Sequence, residues 1–174
     1  MRISLGAGMI LLTVLISACA TTVPHATVSS IGPYQNFTGR LIIIEPTRRW
    51  QVMIDWNGQP ERGKARLTHA ASNRIVMVSW EGDRTRMSDN QNPVDGWKFI
   101  NNSQLQSMGV ILPPQKLAMI LNGRIPRAFK EQKPNQWRGK IDGTLLLLKW
   151  NDSHKKLEIT DTAHGKKAIL MIQP

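Results

Sequence analysis

The chain has 174 residues, of which 41% are hydrophobic and 20% charged, and a formal net charge of +11. That is enough apolar material for one sizeable core, with none of the bias of a disordered or fibrous chain; the basic balance points to anionic partners (nucleic acid, anionic lipid or an acidic protein), or only to a solvated basic surface. Cys19 is the single cysteine, which excludes an internal disulfide and a cysteine-rich zinc site.

The first element in the chain has the anatomy of a signal. Arg2 supplies positive charge, residues 3–16 are a nearly uninterrupted apolar run, and Ser17 and Ala18 place small side chains just before Cys19. The run is shorter than the roughly 20 residues a bilayer span requires. Ile16-Ser17-Ala18-Cys19 resembles a bacterial lipobox, which implies removal of residues 1–18 and acylation of Cys19 as the first residue of a mature lipoprotein. Each buried CH2 of such chains contributes about 0.8 kcal/mol, so the attachment is long-lived. Ala20 follows the cysteine where an aspartate disfavours outer-membrane delivery, which implies an outer-membrane protein facing the periplasm. In that compartment nucleic acid drops out as a partner, leaving the membrane and other proteins. Residues 19–33 then form a lipidated cysteine and tether, since 21–33 read TTVPHATVSSIGP, small and polar with two prolines. Residues 34–174 form one domain, expected to be monomeric, without internal repeat or low-complexity block.

Within the domain the predicted elements are mainly strands. Residues 39–45 (GRLIIIE) are β-branched and apolar, and residues 50–56 (WQVMIDW) alternate strictly, so the two read as a hairpin closing through Pro46-Thr47. Asn57-Gly58 and the Gly63 region supply the next turn, and further strands are expected at 64–68, 74–80 and 84–88, the last two joined by Glu81-Gly82-Asp83. The middle changes character. Residues 103–108 carry a short helical pattern stopped by Gly109, and Pro113-Pro114 open a second helix running to Leu121, with Asn122-Gly123 as its stop. Strands return at 137–141, 144–150, 155–160 and 166–172. The expected fold class is therefore α+β, mainly β, an antiparallel sheet with two helices between its strands.

Several strands are apolar on both faces. In residues 144–150, Leu145 and Leu147 point one way while Leu146, Leu148 and Trp150 point the other, and residues 41–44 and 74–80 double in the same way. An antiparallel sheet ordinarily keeps one face polar, so either a second layer covers the sheet or a concave side holds a ligand. Six tryptophans and eight methionines supply adaptable lining material. The candidate lining residues are Ile42, Ile44, Val52, Ile54, Trp56, Val76, Val78, Trp80, Leu117, Ile120, Leu145 and Leu147. A one-residue error of phase exchanges the two sets on any strand.

The order of these pieces resembles the LolB family of outer-membrane lipoproteins. The resemblance is carried by Phe37-Thr38-Gly39-Arg40-Leu41, the alternating strand ending in Trp56, and Lys64-Ala65-Arg66-Leu67-Thr68. It continues through residues 105–126, with Gly109, Leu112-Pro113, Leu117, Leu121, Gly123 and Ile125-Pro126, and through Leu157-Glu158-Ile159-Thr160-Asp161 and Ala168-Ile169-Leu170-Met171-Ile172. It implies a half-barrel closed by helices over an apolar cavity, and a receptor that accepts lipoproteins from a periplasmic LolA-like carrier and places them in the outer membrane. No cofactor and no covalent chemistry are implied. Two departures stand out. The loop corresponding to the family's membrane-facing loop is His69-Ala70-Ala71-Ser72, where Ala70 and Ala71 offer little apolar area, and the family's acidic carrier-facing surface has no counterpart in a chain this basic. The alternatives are a protein of the same fold binding another amphiphile, and a basic scaffolding lipoprotein docking an envelope complex.

Competing chemistry finds little support. His25, His69, His154 and His164 fall in the tether or in turns, none four residues from another, and no HExxH, GxSxG or phosphate-cradling glycine loop occurs. An enzyme and a metal centre are therefore not expected.

Overall fold

The computed structural model describes residues 31–92 and 96–173; Cys19, the run before it and most of the expected tether lie outside the described residues. The strands are β1 (Asn36–Ile44), β2 (Arg49–Gly58), β3 (Arg62–His69), β4 (Arg74–Glu81), β5 (Arg84–Asp89), β6 (Lys98–Ile100), β7 (Phe129–Lys133), β8 (Gln136–Ile141), β9 (Thr144–Trp150), β10 (Lys156–Asp161) and β11 (Lys166–Gln173), with helices α1 (Asn102–Ser107) and α2 (Pro114–Leu121) between β6 and β7. All eleven strands form one sheet in the order β6-β5-β4-β3-β2-β1-β11-β10-β9-β8-β7. The fold is an open, curved antiparallel sheet with two short helices. Its logic is two meanders. The chain walks away from β1 to β6 by hairpins, crosses through residues 101–128, and walks back from β7 to β11, which pairs with β1. β6 and β7 are the two edges, and no pairing joins them among the described residues.

The local chemistry of the crossing segment explains its helices. Asn101 caps α1: its side chain accepts from the Gln104 N–H at 2.9 Å while the Gln104 side chain accepts from the Asn101 N–H at 2.9 Å, a reciprocal capping box that satisfies two otherwise unpaired donors. Gly109, at φ +87°, turns the chain out of that helix. Pro114 opens α2, where a missing N–H costs nothing, and Gly123, at φ +73°, follows its end.

Strand register settles the faces. Phe37, Gly39, Leu41 and Ile43 pair with Trp56, Ile54, Val52 and Trp50, and Leu157 and Ile159 of β10 pair with Trp150 and Leu148 of β9. This face, here the inner one, forms a continuous core with Ala118, Ile120 and Leu121 of α2. Ile42, Ile44, Leu145 and Leu147 lie on the opposite face, which corrects their assignment to the same lining as Val52 and Ile54. The physical reason is the phase of the side chains: Ile42 pairs with Gln51 and Ile169, and Leu147 pairs with Arg138 and Thr160.

The outer face is apolar without being bare. Glu158 sits opposite Ile169 in register and binds Lys156 and Lys167, each at 2.6 Å. Long side chains fixed in such a network lay their aliphatic stems over neighbouring apolar groups, and Ile42, in the same row, is only 7% exposed. The outer residues of β9, Leu145 and Leu147, are half-buried. β6 and β7 have no counterpart in the sequence expectation, because Lys-Phe-Ile is too short to show a period and Phe129–Lys133 carries one apolar residue.

Candidate functional site

The inner face at the end where β1 starts is paved with aromatic rings. Trp150 stacks on Tyr34 with centroids 6.0 Å apart, Tyr34 meets Phe37 edge-on at 6.4 Å, Phe37 stacks on Trp56 at 6.1 Å, and Trp56 lies 4.8 Å from Trp80. Glycine makes this possible: a Cβ at Gly58 or Gly63 would stand 2.3 Å from the Trp80 ring. The Trp80 indole donates to the Gln59 carbonyl at 2.9 Å, and the Tyr34 hydroxyl to the His154 carbonyl at 2.9 Å. The indole N–H groups of Trp56 and Trp150, by contrast, are buried and without an acceptor, an exception to the general pairing of buried donors.

α2 lies over this floor and is held at both ends. The Gln115 side-chain amide donates to the Gly82 carbonyl at 3.0 Å and to Thr85 Oγ1 at 3.1 Å; at the other end the Tyr34 N–H donates to the Leu121 carbonyl at 2.9 Å. α1 sits toward the opposite end of the sheet, buries only Leu105, and reaches the β8–β9 turn through an Asn102–Asp142 hydrogen bond of 3.3 Å.

Of the expected lining residues, Val52, Ile54, Trp56, Val76, Val78 and Trp80 share the inner face by register. Ile120 is fully buried in the same core and Leu117 packs against it. Sequence reasoning missed Phe37, Leu146, Leu148, Trp150 and Leu157 on that face. The signal was present: Phe37 and Trp150, the largest side chains of their strands, mark the phase of their apolar neighbours. Ala70 and Ala71 are exposed in the β3–β4 turn, which a His69–Ser72 side-chain hydrogen bond of 2.9 Å closes.

Two clefts are lined by polar groups. One of about 330 Å³ lies between α1 and the β8–β9 and β10–β11 turns, lined by Ser103, Gln106, Ser107, Thr144, Asp161, His164 and Lys166, with Val110 and Ile111. Here Asp161 accepts from the backbone N–H groups of Ala163 and His164 at 3.0 and 3.1 Å and contacts His164 Nδ1 at 2.7 Å. Burial works to raise the Asp161 carboxyl, yet these bonds from His164 and Ala163 hold it below the usual carboxylate range. Beside this cleft Glu45 pairs with Arg48 and lies 3.7 Å from Lys166, and the Arg48 hydrogen bond, against the opposing effect of burial, lowers its carboxyl. These contacts tie turns together; they bring no nucleophile to a base. His154 contacts the Asn135 side chain at 3.0 Å, and among the described residues no group of three or more histidine, cysteine or carboxylate side chains could hold a metal ion. No described helix is long and apolar enough to cross a membrane. The other cleft, about 460 Å³, is on the outer face and is lined by Asn57, Gln59, Arg62, Lys64, Ser79, Trp80, Glu81 and Arg86, with Gly63.

No family model and no curated protein matches the chain. Among solved structures, it is similar to the crystal structure of a LolA superfamily protein from Nitrosomonas europaea, with 12% identity over 83% of this chain and 86% of that one and a TM-score of 0.45.

Proposed function

We propose that the chain is an outer-membrane lipoprotein, anchored through acylated Cys19 on the periplasmic side, that accepts the acyl chains of other lipoproteins from a LolA-like carrier and helps place them in the membrane. The observation that carries this reading is the inner face itself: an apolar surface spread across the sheet, left open between two unpaired edges and covered by two helices of six and eight residues. Helices this short owe their position to packing rather than to intrinsic stability, so acyl chains can replace their apolar contacts at small net cost. The two unpaired indole N–H groups of Trp56 and Trp150 would donate to carbonyl oxygens of an incoming ester. Transfer requires no bond to be made or broken, only an environment that holds the chains better than the carrier does.

The test is to mix the lipidated chain with a carrier loaded with labelled lipoprotein and follow the label. It is expected to move, and a photoreactive residue at inner Val78 to crosslink to acyl chains while one at outer Met77 does not. Retention of label on a competent carrier, or crosslinking from both positions alike, would sink the reading.

A further inference from the structure

The outer-face cleft stands beside the most exposed aromatic residues of the molecule. Phe99 is 67% exposed and Trp97 49%, both at the β6 edge. Cross-strand register sets Asn57, Lys64, Ser79, Arg86 and Phe99 in one row across β2, β3, β4, β5 and β6. The Arg86 guanidinium carbon lies 5.9 Å from the centre of the Trp97 ring, a cation–π contact that orders both groups at the surface. Arg62, Lys64 and Arg86 all line the cleft and are exposed, against one carboxylate, Glu81; none of the three is in an ion pair among the described residues.

Cations clustered beside exposed indole and phenyl rings are the composition that a lipid–water interface selects. Aromatic rings settle at headgroup depth, and each nearby Lys or Arg is attracted to anionic lipid. The position agrees. Asn57, at the cleft, pairs with Asn36 at the start of β1, so the patch lies at the end of the sheet from which the chain leads back through Ile31 toward Cys19. Those twelve residues reach at most about 40 Å when extended, which keeps that end near any membrane to which Cys19 is attached.

We propose that the Trp97–Phe99 edge, with Arg62, Lys64 and Arg86, is a docking surface for an anionic phospholipid bilayer, the cations meeting lipid phosphates and the rings entering the interface. The surface is separate from the inner face, and cargo transfer is not needed for it to work. It also supplies membrane contact that the Ala70-Ala71 turn, with its small side chains, does not.

Trp97 is the native probe, because the other five tryptophans are buried or half-buried. The full lipidated chain is placed in vesicles of phosphatidylcholine alone or with an equal share of phosphatidylglycerol, so that it is attached in both. With phosphatidylglycerol, brominated lipid should quench a component of the emission that Trp97→Phe lacks, and iodide should reach that component less. Arg86→Glu should weaken the contact at least about fivefold, and high salt should reverse it. Phe99→Ser should reduce the lipid quenching without changing the circular dichroism. Equal lipid quenching in Trp97→Phe and the parent chain would overturn the proposal, as would equal quenching in the two kinds of vesicle, since contact would then owe nothing to lipid charge. Neither result bears on whether the inner face accepts acyl chains.

Discussion

The two faces of the sheet use almost the same residues for opposite purposes. On β9, Leu146 and Leu148 face the helices and are fully buried, while Leu147, between them, looks outward and is half-buried. The inner leucines belong to the core that α2 shares; the outer Leu147 stands in register between Arg138 and Thr160. What differs is therefore the neighbour and not the residue, and apolar content alone does not reveal which side of such a strand is structural.

Truncation separates the faces most sharply. Leu148→Ala should cost about 3 kcal/mol and Leu147→Ala about 1 kcal/mol or less, by urea denaturation at equal slope; equal losses would break the assignment of faces. Next in size, Gly63→Ala should cost about 2 kcal/mol, because its Cβ would stand 2.3 Å from the buried Trp80 ring and 2.6 Å from the Gly58 Cα. Combined with Trp80→Leu the part of that penalty due to the ring should disappear while the approach to Gly58 remains, and a double-mutant cycle with no coupling would show that Gly63 is not there to admit the ring.

The smallest effect tests the outer network. Hydrogen bonds from Lys156 and Lys167, opposed by partial burial, pull the Glu158 carboxyl down from 4.5 to about 2. A depressed carboxylate stabilises the fold above its unfolded value and ceases to do so as pH falls through its folded one. Its contribution should thus be complete above pH 4.5 and vanish toward pH 2. Relative to the parent chain, Glu158→Gln should lose about 1 kcal/mol at neutral pH, a figure discounted for partial exposure, and nothing near pH 2. A penalty that stayed constant across that range would show that the cover is steric rather than ionic.

Much of this architecture was legible in the sequence. The hairpins around Pro46, Asn57 and Gly82 announce themselves by turn chemistry, and both helices by their proline and glycine boundaries. The faces were legible only where a bulky ring shared the phase of the aliphatic residues, as Trp56 does on β2 and Trp80 on β4. On β1 the run Leu41-Ile42-Ile43-Ile44 offers equal side chains in both phases, and the choice is made by the register with β2 and β11, which is tertiary information. The edge strand β6 was invisible for a related reason: three residues cannot display a period of two. The aromatic floor needed the fold as well, because Tyr34, Phe37 and Trp150 become neighbours only when the last strand lies beside the first.

That neighbourhood has a consequence for the chain's birth. The sheet's one pairing between distant segments joins β1 to β11, so the opening strand of the domain waits for the final eight residues of the described chain before its second edge is filled. Each half can zip by local hairpins, but the seam between them closes only by a contact of nearly the greatest sequence separation available, which is the slow kind to form. During synthesis the first half therefore stays a half-sheet with β1 bare along one side, and loss of even a short C-terminal piece would leave the chain unable to finish.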